Sequence, residues 1–213
     1  MNTIPGFPPD PVIILDVPVH PLTYEDFLAH VAQFIAAGAP RQICTANPEF
    51  VMTARRRPDF LAVLQNADLV LADGVGLLWA ARYLGHTLPE RVTGSDGIYL
   101  LARRAAQEGW RLFLLGARPG VAEKTAAMLQ ARYPGLEIAG TWPGSPGDED
   151  YPAIAARVKV ARPDVLLVAY GAPQQDLWIA RHKDDLGVPV SMGVGGAFDH
   201  VVGVQKRAPA WLI

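Results

Sequence analysis

Val165-Leu166-Leu167-Val168-Ala169-Tyr170 is a continuous apolar run that ends in the turn signal Gly171-Ala172-Pro173. A strand with one wet face alternates apolar and polar residues. A run without alternation is expected where both faces of a sheet are covered. Similar runs lie at Val12–Leu15, Gln42–Ala46, Asp68–Ala72, Arg111–Leu115, Leu136–Ala139 and Val188–Gly193. Helical patterns separate them. In Tyr24–Ala37, Phe27, Leu28, Val31, Phe34 and Ile35 share one helical face, and Thr23 with Asp26 resembles a helix-capping pair. A second helix is predicted over Val121–Arg132, with Val121, Met128 and Leu129 facing inward. Strand–helix alternation along the chain predicts an α/β fold: a mostly parallel twisted sheet with helices on both faces. No linker stretch divides residues 1–213, so a single domain is expected.

Composition narrows the function classes. Half of the 213 residues are hydrophobic and 19% are charged, as in a globular protein with a sizeable core. The formal net charge of -2 gives no basic excess for gripping phosphates, so no nucleic-acid partner is expected. The single cysteine, Cys44, excludes an internal disulfide and sits in an apolar run as a small buried hydrophobe. No basic leader precedes an apolar stretch, and no apolar run approaches the ~20 residues that span a bilayer. The expected location is cytoplasmic, with any membrane contact peripheral. The opening prolines, Pro5, Pro8, Pro9 and Pro11, read as an extended lead-in.

In Rossmann-like sheets, ligands gather at the carboxyl ends of the strands. Polar and glycine residues just after the predicted strands are therefore the candidates. Thr45 and Asn47 offer a hydroxyl and an amide to sugar or nucleotide groups, while Asn47-Pro48 equally suits a helix start. Asp73-Gly74 places a carboxylate after a strand, as a general base, a hydroxyl ligand or a cap. Arg91, Thr93 and Asp96 offer phosphate stabilisation at a helix start, or a capped helix beside a solvated arginine. Gly116 to Gly120 forms a small ligand loop or a plain turn; it is neither a dinucleotide fingerprint nor a phosphate-binding P-loop. Gly171 and Pro173 turn the chain so that Gln174 or Gln175 reaches over the sheet edge, with Trp178 a core residue. Gly195, Gly196 and Asp199 follow the last strand and permit close approach of a pyrophosphate. The segment Trp142–Asp148 is a Pro/Gly loop, and Glu149 and Asp150 are helix-start charges.

In order, these clusters resemble the WecG/TagA/CpsF glycosyltransferase family. The likeness is carried by Thr45-Ala46-Asn47-Pro48-Glu49, Ala72-Asp73-Gly74-Val75-Gly76, Arg91-Val92-Thr93-Gly94-Ser95-Asp96 and Gly171-Ala172-Pro173-Gln174-Gln175-Asp176-Leu177-Trp178. Gly193-Val194-Gly195-Gly196-Ala197-Phe198-Asp199 and Arg207-Ala208-Pro209-Ala210-Trp211 complete it. The resemblance implies inverting, metal-independent transfer of N-acetylmannosamine or a related sugar. The implied donor is a UDP-sugar, and the acceptor a polyprenyl-diphosphate-linked N-acetylglucosamine glycolipid. The implied products are wall teichoic acid, common antigen or capsule, made at the inner face of the cell membrane. It assigns the base to Asp73 and active-site polar roles to Thr45, Asn47 and Gln175. Gly74, Arg91, Thr93, Asp96, Gly116, Gly171, Pro173, Gly195, Gly196 and Asp199 are the expected substrate-binding residues. Family members carry a basic amphipathic segment beyond the Arg-Ala-Pro-x-Trp motif. Ending at Ile213, this chain is expected to bind membrane only weakly. A homo-oligomer would bury part of its apolar surface. The competing readings on the same fold are a nucleotide-dependent oxidoreductase and a non-catalytic nucleotide-sugar binding module.

No metal and no cofactor is expected. The histidines His20, His30, His86, His182 and His200 are scattered, with no His-x-x-x-His spacing and no cysteine partner. Turnover is accordingly expected to survive EDTA. Its loss on chelation, with recovery on adding magnesium or manganese, is the contrary result.

Overall fold

The computed structural model describes residues 8–203. The chain opens with a small antiparallel hairpin, β1 (Val12–Ile14) and β2 (Val17–Val19). Leu15 and Asp16 both take positive φ in the turn between them. The sequence does not announce β2, because it is three residues long, contains Pro18 and follows a turn without glycine. Helix α1 (Tyr24–Ala37) begins at the predicted capping box. Asp26 N–H donates to Thr23 Oγ1 at 3.2 Å, and Thr23 N–H donates to the Asp26 carboxylate at 2.9 Å. The helix stops at Gly38, whose φ of 70° only glycine adopts easily.

The remaining strands are β3 (Arg41–Ala46), β4 (Leu69–Ala72), β5 (Arg111–Gly116), β6 (Glu137–Trp142), β7 (Val165–Ala169) and β8 (Val190–Gly193). They form one six-stranded sheet in the order β4-β3-β8-β7-β5-β6, and every pairing in it is parallel. The helices between them are α2 (Pro48–Ala54), α3 (Pro58–Asn66), α4 (Val75–Tyr83), α5 (Gly94–Glu108), α6 (Val121–Arg132), α7 (Tyr151–Ala161), α8 (Gln174–Leu186) and α9 (Ala197–Val201). Alternate residues of each strand feed opposite faces. Ile43, Leu71, Leu114, Leu167 and Met192 meet α1, α5, α6 and α9 on one face. On the other, Cys44 and Val70 pack with the hairpin and α2 to α4, while Phe113 and Val168 pack with α7 and α8. Both faces are covered, which is why the strands read as continuous apolar runs.

Two details depart from the sequence reading. Strand β6 runs three residues past Ala139, because its register with β5 continues to Leu115 opposite Trp142. Gly140 and Thr141 disguise it. A Cβ on Gly140 would lie 2.6 Å from the Phe113 ring, so glycine is what lets that ring lie against the edge strand. Met128 is half exposed, because the buried arc of α6 is Val121, Ala122, Thr125, Ala126 and Leu129. Met128 falls beyond the edge of that arc. Cys44 is buried as expected. So is Trp178, which stacks edge-on against Tyr170.

Gly116 ends β5 with φ of 98°, and a Cβ there would sit 2.8 Å from the Ala169 carbonyl oxygen. Gly116→Ala should therefore cost at least ~2 kcal/mol, read from the urea midpoint. The core also holds a carboxyl, Asp176, whose burial pushes its pKa from 3.8 up to about 7. The folded protein keeps this proton where the unfolded chain has lost it, so stability falls as pH rises through that window. Asp176→Asn removes the loss. Relative to the parent it should gain stability progressively from about pH 4 to about pH 8, by on the order of 4 kcal/mol over the window. Parallel stability–pH curves for the two proteins are the contrary result.

Candidate active site

A cavity of about 470 Å³ opens at the carboxyl ends of β3, β4, β7 and β8. Its walls are the turns leaving those strands, with contributions from the starts of α3 and α5 and from α9. Thr45 and Asn47 come from β3 and the turn after it, and Asp73 follows β4. Gly171, Ala172, Pro173 and Gln175 follow β7, and Val194, Gly195, Gly196 and Ala197 follow β8. This is where a parallel α/β sheet holds ligands.

Asp73 is fixed from two sides. Its N–H donates to the Ala46 carbonyl at 2.7 Å, and its carboxylate accepts from the Gly94 N–H at 3.1 Å. The segment carrying Gly94 is itself tied to the end of β4, because the Val92 N–H donates to the Ala72 carbonyl at 2.9 Å. Burial raises the Asp73 pKa above the ordinary carboxylate value. The Gly94 hydrogen bond and the Arg91 charge pull it down, and Asp96 pushes it up again. The result is a base stronger than a solvated carboxylate, held in one orientation.

Asn47 caps α2, with the Phe50 N–H donating to its Oδ1 at 2.9 Å. Both readings of Asn47 therefore meet in one residue, since it also lines the cavity. Capping points the first turns of α2 at the cavity, so Glu49, Phe50 and Thr53 line it too. Thr45 is buried and lies against the start of α5. Thr93 caps α5, with the Asp96 N–H donating to its Oγ1 at 3.1 Å. Tyr24 Oη lies 3.2 Å from the same oxygen. From this cluster it is Ser95 that reaches the cavity wall.

The turn after β7 contains a cis Ala172–Pro173 bond and sends Gln175 inward. Gln175 is buried, and its Oε1 accepts the Gly195 N–H at 2.9 Å. The Gly195 donor expected for a leaving diphosphate is thus already engaged. Gly196 remains on the wall.

Of the expected site residues, the cavity collects Thr45, Asn47, Asp73, Gly171, Pro173, Gln175, Gly195 and Gly196. Gly74, Arg91, Thr93, Asp96, Gly116 and Asp199 do not line it. Gly74 takes φ of 146° beside Pro48 and Asn47 and starts α4. Arg91 acts on Asp73 through its charge, Gly116 packs on β7, and Asp199 pairs with Arg118 at 2.9 Å. Glu49, Phe50, Thr53, Phe60, Ser95 and His200 line the cavity without having been singled out. For Glu49 and Ser95 a signal exists: each sits two residues after a helix-capping residue, Asn47 or Thr93. The other four follow helical positions that only the packing reveals. The basic-aromatic stretch Lys206-Arg207-Ala208-Pro209-Ala210-Trp211 lies outside the described residues.

The cavity wall holds two carboxylates, one imidazole, two amides and several hydroxyls. Among the described residues it holds no lysine or arginine, and no cluster of three or more metal-ligating side chains occurs in them. Such a wall is suited to taking a proton from a hydroxyl and to orienting a polyhydroxylated ligand.

Comparison with known proteins agrees with this chemistry. A model of the glycosyl transferase WecG/TagA/CpsF family matches residues 12–213. The chain is 32% identical over 202 residues to the N-acetylglucosaminyldiphosphoundecaprenol N-acetyl-beta-D-mannosaminyltransferase of Bacillus spizizenii, covering 92% of this chain and 78% of the relative. Proteins of the same name from Bacillus subtilis and Staphylococcus aureus are 33% identical over 171 residues and 35% identical over 167. Those matches cover 80% and 78% of this chain, and 66% and 65% of the relatives. With a family match of this extent and relatives at this identity, the chain belongs to the WecG/TagA/CpsF family of glycosyl transferases.

Proposed function

We propose that the chain transfers N-acetylmannosamine, or a closely related sugar, from a UDP donor to N-acetylglucosaminyl diphosphoundecaprenol, with inversion at the anomeric carbon. The relatives' names support the sugar and the lipid acceptor. The observation that carries the mechanism is the Asp73 carboxylate, partly buried, raised in pKa and oriented on the cavity wall. Asp73 takes the proton of an acceptor hydroxyl as that oxygen attacks the anomeric carbon. The bond to the departing UDP breaks on the opposite face. Thr45, Asn47 and Gln175 orient the sugars, and Glu49 adds a second carboxylate for hydroxyl groups. The acceptor is carried by a membrane, so the reaction takes place at a bilayer surface. No helix among the described residues is long and apolar enough to cross one.

Asp73→Asn should fold normally and lose ~10²-fold or more in kcat/KM with a UDP-sugar and a soluble lipid-diphosphate acceptor analogue. Near-parental turnover removes Asp73 from the base role. In the parent, kcat/KM should fall as pH drops through the Asp73 pKa, with a midpoint above that of a solvated carboxylate. Calorimetry with UDP and with NAD separates the transferase from an oxidoreductase: UDP should bind and NAD should not. Tight donor binding with no transfer to any acceptor analogue favours a binding module instead.

A further inference from the structure

Asp176 is fully buried, yet both of its carboxyl oxygens lack a hydrogen-bond partner of good geometry. An apolar side chain of the same size would pack there at lower cost, so packing is a poor reason for a carboxyl. Asp176 lies in the first turn of α8, where an acid favours the helix dipole. That role is served as well by an exposed acid and does not explain complete burial.

The surroundings of Asp176 are specific. A Cβ on Gly193 would lie 2.7 Å from Gln175 Nε2 and 2.8 Å from Asp176 Oδ1, so amide and carboxyl press on the same Cα. Gln42 Nε2 donates to the Asp176 backbone carbonyl at 2.9 Å and pins the turn from β3. The buried Cys44 thiol closes the other side, close enough to affect the carboxyl. An amide has two orientations related by a flip, and only one puts oxygen on the Gly195 N–H. Gln175 takes that one. The NH₂ end of the amide is the end beside the Asp176 carboxyl, close enough to act on it, whereas the flipped amide would set its oxygen against a carboxyl oxygen.

The geometry points to Asp176 as a positioning residue for sugar transfer: by fixing the Gln175 amide, it holds the Gly195 N–H and sets the glycine turn that forms one wall of the cavity. Asp176 does not line the cavity and touches no substrate there. The inference rests on the reading of this cavity as the transfer site.

The test is a double-mutant cycle. Asp176→Asn keeps a side-chain carbonyl that can accept from Gln175 and should stay within ~3-fold of the parent in kcat/KM. Asp176→Leu, or Asp176→Ala should the leucine variant not fold, loses that acceptor and should fall ~10-fold or more, as expected for a displaced active-site group. Gln175→Ala should fall by a similar factor, and the apolar Asp176 substitution should add little to it. Hydrogen exchange at the Gly195 amide supplies a readout without turnover: faster in the apolar variant, unchanged in Asp176→Asn. The inference is overturned if the apolar variant matches the parent, if its loss is undiminished in the Gln175→Ala background, or if Asp176→Asn fares no better. If the parent transfers no sugar, the functional reading fails, while exchange at Gly195 still decides whether Asp176 sets the turn.

Discussion

β3 and β8 lie side by side in the sheet, but the chain leaving β3 packs on one face and the chain leaving β8 on the other. Two turns that diverge from neighbouring strands cannot fill the space between them. The cavity is that space. Because all six strands run parallel, the turns after β4 and β7 open on the same side and supply its remaining walls. The sheet order thus decides which residues meet, even though Thr45 and Gly196 are far apart in sequence.

Within this frame two polar groups on the wall are held by elements other than their own. Asp73 leaves β4 but is oriented by the N-terminus of α5, and Gln175 begins α8 but grips the turn after β8. Asn47 holds the start of α2, which in turn presents Glu49. These are single hydrogen bonds of modest net strength, but they are short and partly sheltered from water. Their value is geometric. A general base and the groups that orient a sugar work only within a narrow range of distance, and bonds between elements keep that range without mobile loops.

The fold was legible because its strands are covered on both faces. Continuous runs such as Val165–Ala169 contain β-branched residues, are short and are closed by a turn signal, which separates a covered strand from a buried helix, and Thr23 with Asp26 marked the start of α1 to the residue. Legibility failed where the sheet has an edge or a residue serves packing. Among the described residues β6 has a partner strand on one side only, and it ends in Gly140-Thr141-Trp142, while β2 is too short to show a period. At the site, Thr45, Asn47, Asp73 and Gln175 stood out as polar groups at strand ends, the one place where such groups are dear to bury and useful to expose. Gly116 shares that position but serves a close backbone approach, while Thr93 follows the loop after α4 rather than a strand and serves as a cap. A strand-end residue has both kinds of work available, and only the side chain's direction separates them. Phe60 and His200 had no signal, since nothing in a helix's own sequence says which turn meets a cavity.

The charge on the wall constrains how the proposed substrates lie. Asp73 and Glu49 share the side formed by β3 and β4, and the described lining offers no lysine or arginine against them. Two carboxylates repel a diphosphate, and in a crevice with reduced screening the repulsion is larger than at an open surface. The neutral sugar and the acceptor hydroxyl therefore belong on the Asp73 side. The diphosphate belongs toward Gly195 and Gly196, where the wall is backbone and carries no charge. That orientation also sets the anomeric carbon between base and leaving group, as an in-line displacement needs. Burial in the same crevice is what raises the Asp73 pKa, so the shelter from water that sharpens this repulsion also strengthens the base.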